Sequence, residues 1–161
     1  MKEKILYLLL ASVFTFYSCD CQENKGNNLN GIYQTNVNGV EFKFFNDTTK
    51  SIRIDTLPLV SCLYFENVEI HIQSEAGEPM LHIQLTDCGK KKFTKITKNN
   101  IGKQLAIILD GKLLSAPVVR ETITNGRIYV SGVDKEFAEK VVRDFEKNKV
   151  KCNSEATGFF R

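Results

Sequence analysis

The run Gly102-Lys103-Gln104-Leu105-Ala106-Ile107-Ile108-Leu109-Asp110-Gly111-Lys112 decides the fold. Its centre, Leu105-Ala106-Ile107-Ile108-Leu109, is apolar at every position. A strand built from it has two faces to bury and belongs in the middle of a sheet. Asp110-Gly111 follows at once, and this dipeptide suits a two-residue hairpin turn that wants positive φ, which glycine reaches without strain. Lys112-Leu113-Leu114-Ser115 then returns as the partner strand. Pro117, after Ser115-Ala116, interrupts or shifts that strand, because proline has no N–H to give a ladder.

Upstream, Val68, Ile70 and Ile72 alternate with Glu69, His71 and Gln73, and Leu81, Ile83 and Leu85 alternate with His82, Gln84 and Thr86. Each set reads as a half-buried strand, and the turn-forming stretch 74–79 joins them into a hairpin. Facing Gln73 with Met80 sets Ile72 against Leu81, Ile70 against Ile83 and Val68 against Leu85, all on one face. That register places His71 directly opposite His82 on the polar face. Two imidazoles are too few for a structural zinc site and the spacing assigns no third ligand, so no metal is expected and the pair is read as an exposed cross-strand contact.

Thr86 or Asp87 can cap a helix over 89–99, with Phe93 and Ile96 facing inward and the lysines outward. Downstream, Asn125-Gly126 marks another tight turn into Arg127-Ile128-Tyr129-Val130, and Gly132 ends that strand. Asp134 caps a last helix in which Phe137, Val141 and Phe145 recur every four residues, beside Ala138 and Val142. From Val68 the order is strand, strand, helix, strand, strand, strand, helix. The expected class is α+β, a two-layer sandwich of an antiparallel-rich sheet with two helices on one face. Residues 31–65 form a separate strand-rich segment with short strands at Ile32-Tyr33, 40–44 and 52–54, parted by the turn formers Asn38-Gly39 and Asn46-Asp47. Residues 148–161 are polar and read as a flexible tail.

The start of the chain has the layout of a secretory signal over residues 1–18: a basic opening, an apolar run over 5–16, and a small residue before the cut. That run is too short to span a bilayer, which takes about 20 apolar residues. Ser18-Cys19 resembles a bacterial lipoprotein processing site, at which the cysteine is acylated and becomes the new N-terminus. Residues 19–30 then serve as a polar tether for a domain anchored to the membrane through lipid alone. The remaining cysteines, Cys21, Cys62, Cys88 and Cys152, are even in number and suit disulfides in an oxidising compartment. Extending the hairpin register brings Cys62 towards Cys88 as one possible pair, while Cys21 and Cys152 stay open. No CxxC pair supports a redox role. The net charge of +3 is too small to argue for nucleic acid, and the lysines at 90–92, 95, 98 and 103 read as a solvated face.

The stretch Phe93-Thr94-Lys95-Ile96-Thr97, followed by Gly102-Lys103, the run to Asp110-Gly111 and Ser115-Ala116-Pro117-Val118-Val119, resembles the head of the first periplasmic domain of SecD and SecDF. Ile123-Thr124-Asn125-Gly126-Arg127, Gly132 and the helix with Phe137 and Ala138 continue the resemblance in order, over residues 66–147. It implies a polypeptide-handling module, with exported or envelope polypeptides as partners and no cofactor. Gly102, Lys103, Asp110, Gly111, Ser115, Ala116, Pro117, Gly126 and Gly132 carry the signature and are read as fold-making residues. The transmembrane helices that couple export to proton flow in that family have no counterpart in this sequence. Neither HExxH, GxSxG nor a paired-carboxylate pattern occurs, so an enzyme is not expected. The function expected is that of a bacterial envelope lipoprotein acting as a binding module, with a purely structural lipoprotein as the alternative.

Overall fold

The computed structural model describes residues 29–72 and 77–157, with side chains to residue 148. Cys19, the signal segment and Cys21 lie outside the described residues, as does the side chain of Cys152. The described chain forms β1 (Gly31–Lys43), β2 (Ser51–Ile54), β3 (Val60–Ser61), β4 (Phe65–Ile72), β5 (Pro79–Leu85), α1 (Asp87–Asn99), β6 (Leu105–Leu109), β7 (Lys112–Ser115), β8 (Arg127–Val130) and α2 (Lys135–Thr157). The class is α+β, as expected, and every named strand pair is antiparallel. The strands divide between two sheets: β2-β1-β6-β7 with β3 on β1, and β4-β5-β8.

Strand β6 is central, and all five of its residues are buried. Leu105, Ile107 and Leu109 face one apolar cluster with Ile32, Val60 and the inner face of the second sheet: Val68, Leu81, Ile83, Leu85, Ile128 and Val130. Phe93 of α1 and Phe137, Ala138 and Val141 of α2 pack into that same cluster, so both helices serve one core. Ala106 and Ile108 point the other way, into a second cluster with Tyr33, Ile54 and Leu113. This second cluster is closed by Phe42 of β1, Phe44 just beyond its end and Ile52 of β2.

Strand β1 explains how one hairpin covers that second face. Its start pairs with β6, Gly31 to Ile108 and Tyr33 to Ala106, while its end pairs with β2, Phe42 to Ile52. Between them Thr35 and Val40 both face Ile54, a bulge that bends the strand. The expected break at Asn38-Gly39 is this bulge, lying within a continuous strand. Residues 31–65 are therefore not a separate appendage, since their backbone completes the sheet around β6.

At Asp110-Gly111 both φ values are positive, 52° and 68°, which makes the β6–β7 connection a mirror-image tight turn. Thr86 is the cap of α1, its hydroxyl accepting from the Gly89 N–H at 3.1 Å. Gly89 also lets the helix approach the strand, because a Cβ there would lie 2.8 Å from Tyr64 Cβ. At the other end α2 continues to Thr157, so the backbone over 148–157 is helical where a flexible tail is expected from polarity alone.

Candidate functional site

The chemistry-bearing side chains meet on the outer face of the β4-β5-β8 sheet, away from the helices. The β4–β5 hairpin is slipped by two residues from the expected register: His82 faces Glu69, and His71 faces Met80. A slip of two keeps every side chain on its own face, so the apolar pattern is satisfied equally well by either pairing. Val68 now meets Ile83 and Ile70 meets Leu81. His71 and His82 are therefore diagonal neighbours, their rings edge-on with centroids 5.2 Å apart.

The slip brings in a carboxylate. Glu69 Oε1 lies 2.8 Å from His82 Nδ1 and 3.4 Å from His71 Nε2. The hydrogen bond with His82, ahead of the charge of either imidazole, holds the Glu69 carboxyl below its ordinary range. His82 is not the exposed residue that its alternation implies, being only 8% exposed. It sits on the middle strand, its ring stacked on Tyr129 of β8 with centroids 4.6 Å apart and planes at 17°. His82 Nε2 is buried and has no hydrogen-bond partner among the described residues. Tyr129 itself is half-exposed, and Ile72 at the end of β4 is 59% exposed. Glu69 and Tyr129 are the residues that sequence reasoning missed. The sequence places Glu69 on the strand face of His71 at i,i+2, but its place opposite His82 follows only from the register.

The signature residues lie elsewhere and hold backbone together. The Gly102 N–H donates to the Val119 carbonyl, Val119 N–H donates to the Lys103 carbonyl, and Leu105 N–H donates to the Pro117 carbonyl. Pro117 thus accepts where it cannot donate, directly after β7. The Ala116 carbonyl accepts from the Gln104 side chain at 3.1 Å. Gly126, at φ 67°, accepts from Leu85 N–H and starts β8 against β5. Gly132 has φ 75° and its carbonyl accepts from the Asn46 side chain. Asp110 pairs with Lys140 at 2.5 Å and ties the β6–β7 turn to α2.

A cleft of about 240 Å³ opens beside that turn, between Cys62, Phe65, Leu109, Val141 and Phe145. Its acidic rim, Asp110 and Asp144, is already engaged by Lys140. Cys62 belongs to this end of the molecule, in a short 3-10 turn over Cys62–Tyr64 whose first N–H donates to the Asn30 carbonyl. Cys88 is in the first turn of α1 and is disulfide-bonded. Strand pairing ends at Phe65 and Leu85, so the hairpin register does not extend to either cysteine.

Residues 38–142 match the family described as SecDF, P1 head subdomain. The chain belongs to this family. The match begins inside β1 and so takes in part of the segment that the sequence places outside the resemblance. Among relatives of this SecDF head, the protein translocase subunit SecD of Sebaldella termitidis is 50% identical over 60 residues, 37% of this chain and 15% of the relative. The SecDF subunit of Thermus thermophilus is 46% identical over 57 residues, 35% of this chain and 8% of the relative. SecD of Syntrophobacter fumaroxidans is 35% identical over 97 residues, 60% of this chain and 18% of the relative. The SecDF head here thus corresponds to a small part of the length of these subunits. A solved structure of SecDF, described as a membrane component that enhances protein export, superposes with a TM-score of 0.57 at 22% identity, covering 71% of this chain and 60% of that one. SecDF in a super-membrane-facing form superposes with the same TM-score at 23% identity, covering 69% of this chain and 17% of the other. Both likenesses establish a shared fold. Among the described residues no helix is long and apolar enough to cross a membrane.

Proposed function

We propose that this chain is a polypeptide-binding module of the bacterial cell envelope, lipid-anchored at Cys19, that works by docking rather than by catalysis or transport. The observation that carries the proposal is the outer face of the β4-β5-β8 sheet, which a member of the SecDF head family leaves uncovered by its helices. Within that sheet β4 and β8 are the outer strands, and among the described residues each keeps one edge unpaired. An extended segment adds to such an edge through backbone hydrogen bonds, with little demand on its sequence. Tyr129 of β8 supplies exposed aromatic surface on that outer face. The association of a related SecDF with enhanced protein export supports polypeptides in extended form as the clients. The proposal assigns this chain no proton-coupled step.

The test is a photoreactive residue in place of Tyr129 in the membrane-bound protein, irradiated in growing cells, with adducts identified by mass spectrometry. Adducts with exported polypeptides are expected. Adducts formed only from the lysine face of α1, probed at Lys91, would move the site to the helices. No adduct from either face would leave a structural lipoprotein as the better account.

A further inference from the structure

The expectation of no metal rests on there being two ligands, and the structure supplies a third. Glu69, His71 and His82 each bring one donor atom to within 4.8 Å of the others. The geometry points to a divalent transition-metal site on this face, with zinc as the ion that fits the donors best. Two imidazoles and one carboxylate are the ligand set that zinc takes when three protein ligands leave a fourth position open.

Two of the three donor spacings lie near those of a bound ion. Two donors bound at about 2.1 Å to one tetrahedral ion stand about 3.4 Å apart. Glu69 Oε1 and His71 Nε2 are already separated by 3.4 Å. Glu69 Oε1 and His82 Nδ1, at 2.8 Å, are at hydrogen-bond distance and open slightly as an ion takes the place of the shared proton. The scaffold is graded in the useful sense. His82 is fixed on the middle strand by the stack with Tyr129, so one ligand is in position before the ion arrives. The Glu69 and His71 side chains, on an outer strand, are about half exposed and give the ion a path from solvent.

Ligating histidines are normally oriented by an acceptor for their second ring nitrogen. His82 Nε2 lacks one among the described residues, so the stack on Tyr129 orients the ring without help from its second nitrogen. A site built this way exchanges its ion readily and yields it to chelators. The inference stands on donor geometry and does not depend on polypeptide binding, although the open fourth position faces the proposed docking surface.

The experiment uses the full chain, with its thiols alkylated so that cysteine cannot compete, and Co²⁺ and Zn²⁺ as probes. Co²⁺ should give visible bands of tetrahedral intensity that saturate at one equivalent and vanish when Zn²⁺ is added. Glu69→Gln and His71→Gln, both at half-exposed positions, should each weaken binding at least about tenfold, the lower bound for losing even an outer partner of a ligand. Their far-ultraviolet circular dichroism should match that of the unaltered chain. A Co²⁺ spectrum without tetrahedral bands, or binding that survives both substitutions, would overturn the assignment.

Discussion

At Thr97 a hydroxyl with no accessible surface donates to the Phe93 carbonyl at 2.9 Å and accepts from the Ile123 N–H at 3.0 Å. Thr94, one turn earlier, donates to the Ile123 carbonyl at 3.0 Å or to the Lys90 carbonyl at 2.8 Å. The two threonines thereby pin the connection before β8 onto α1. Thr97→Val keeps the shape and leaves the Ile123 N–H without its acceptor, so it should cost about 1–3 kcal/mol, read as a lower urea midpoint at unchanged slope. This role is not legible in the sequence, because only the fold brings residue 123 to it. Asp47 is a contrasting case, because its partners are local. Hydrogen bonds from Lys50 and then Thr49 hold its carboxyl at about 2, below the ordinary 3.8. Its folded-state value is depressed, so the stability it contributes is complete above 3.8 and is lost as the pH falls towards 2. The carboxyl carbon shift of Asp47, followed by NMR, should titrate with a midpoint of about 2; a midpoint of 3.8 would mean that the Asp47–Lys50 turn does not persist in solution.

Among the elements, β6 and its turn are the most legible and the β4–β5 hairpin the least. A run without a polar residue can only be a doubly buried strand or a buried helix segment, and Asp110-Gly111 at its end selects the strand. The corresponding prediction is that the two faces of β6 are equally intolerant. Ile107→Ala and Ile108→Ala, which open opposite clusters, should each lower stability by about 2–5 kcal/mol in denaturant unfolding. If one of them costs much less, the cover formed by β2 and the second half of β1 is loose. For the hairpin, the alternation fixes which face each residue occupies and leaves the register open in steps of two. The pairing of Glu69 with His82 turns on that undetermined step, which is why the His–His pair is legible in the sequence while its carboxylate partner is not.

For the whole molecule, the proposed anchor makes a direct prediction. Cys19→Ser should release the protein from membranes into the soluble fraction, and mass spectrometry of the unaltered protein should find an acylated cysteine as its first residue. Retention of the variant on membranes would remove the lipid from the account. The α+β class, both helices and the family were legible because they rest on local pattern and a contiguous signature. The membership of residues 31–65 in the same core was not, since it depends on one strand finding another far along the chain. That strand, β1, has a consequence for the order of events during synthesis and export. Gly31 and Ile32 emerge early, yet their partners Ile108 and Ile107 are among the later residues made. Contacts of such long sequence separation form slowly, because the intervening loop must close first. The β4–β5 hairpin can zip as soon as Leu85 is available, whereas β1 waits as an unpaired edge and is prone to bind whatever extended chain it meets. A head-type module made N-terminus first therefore passes through a stage in which it is itself a client in need of shelter.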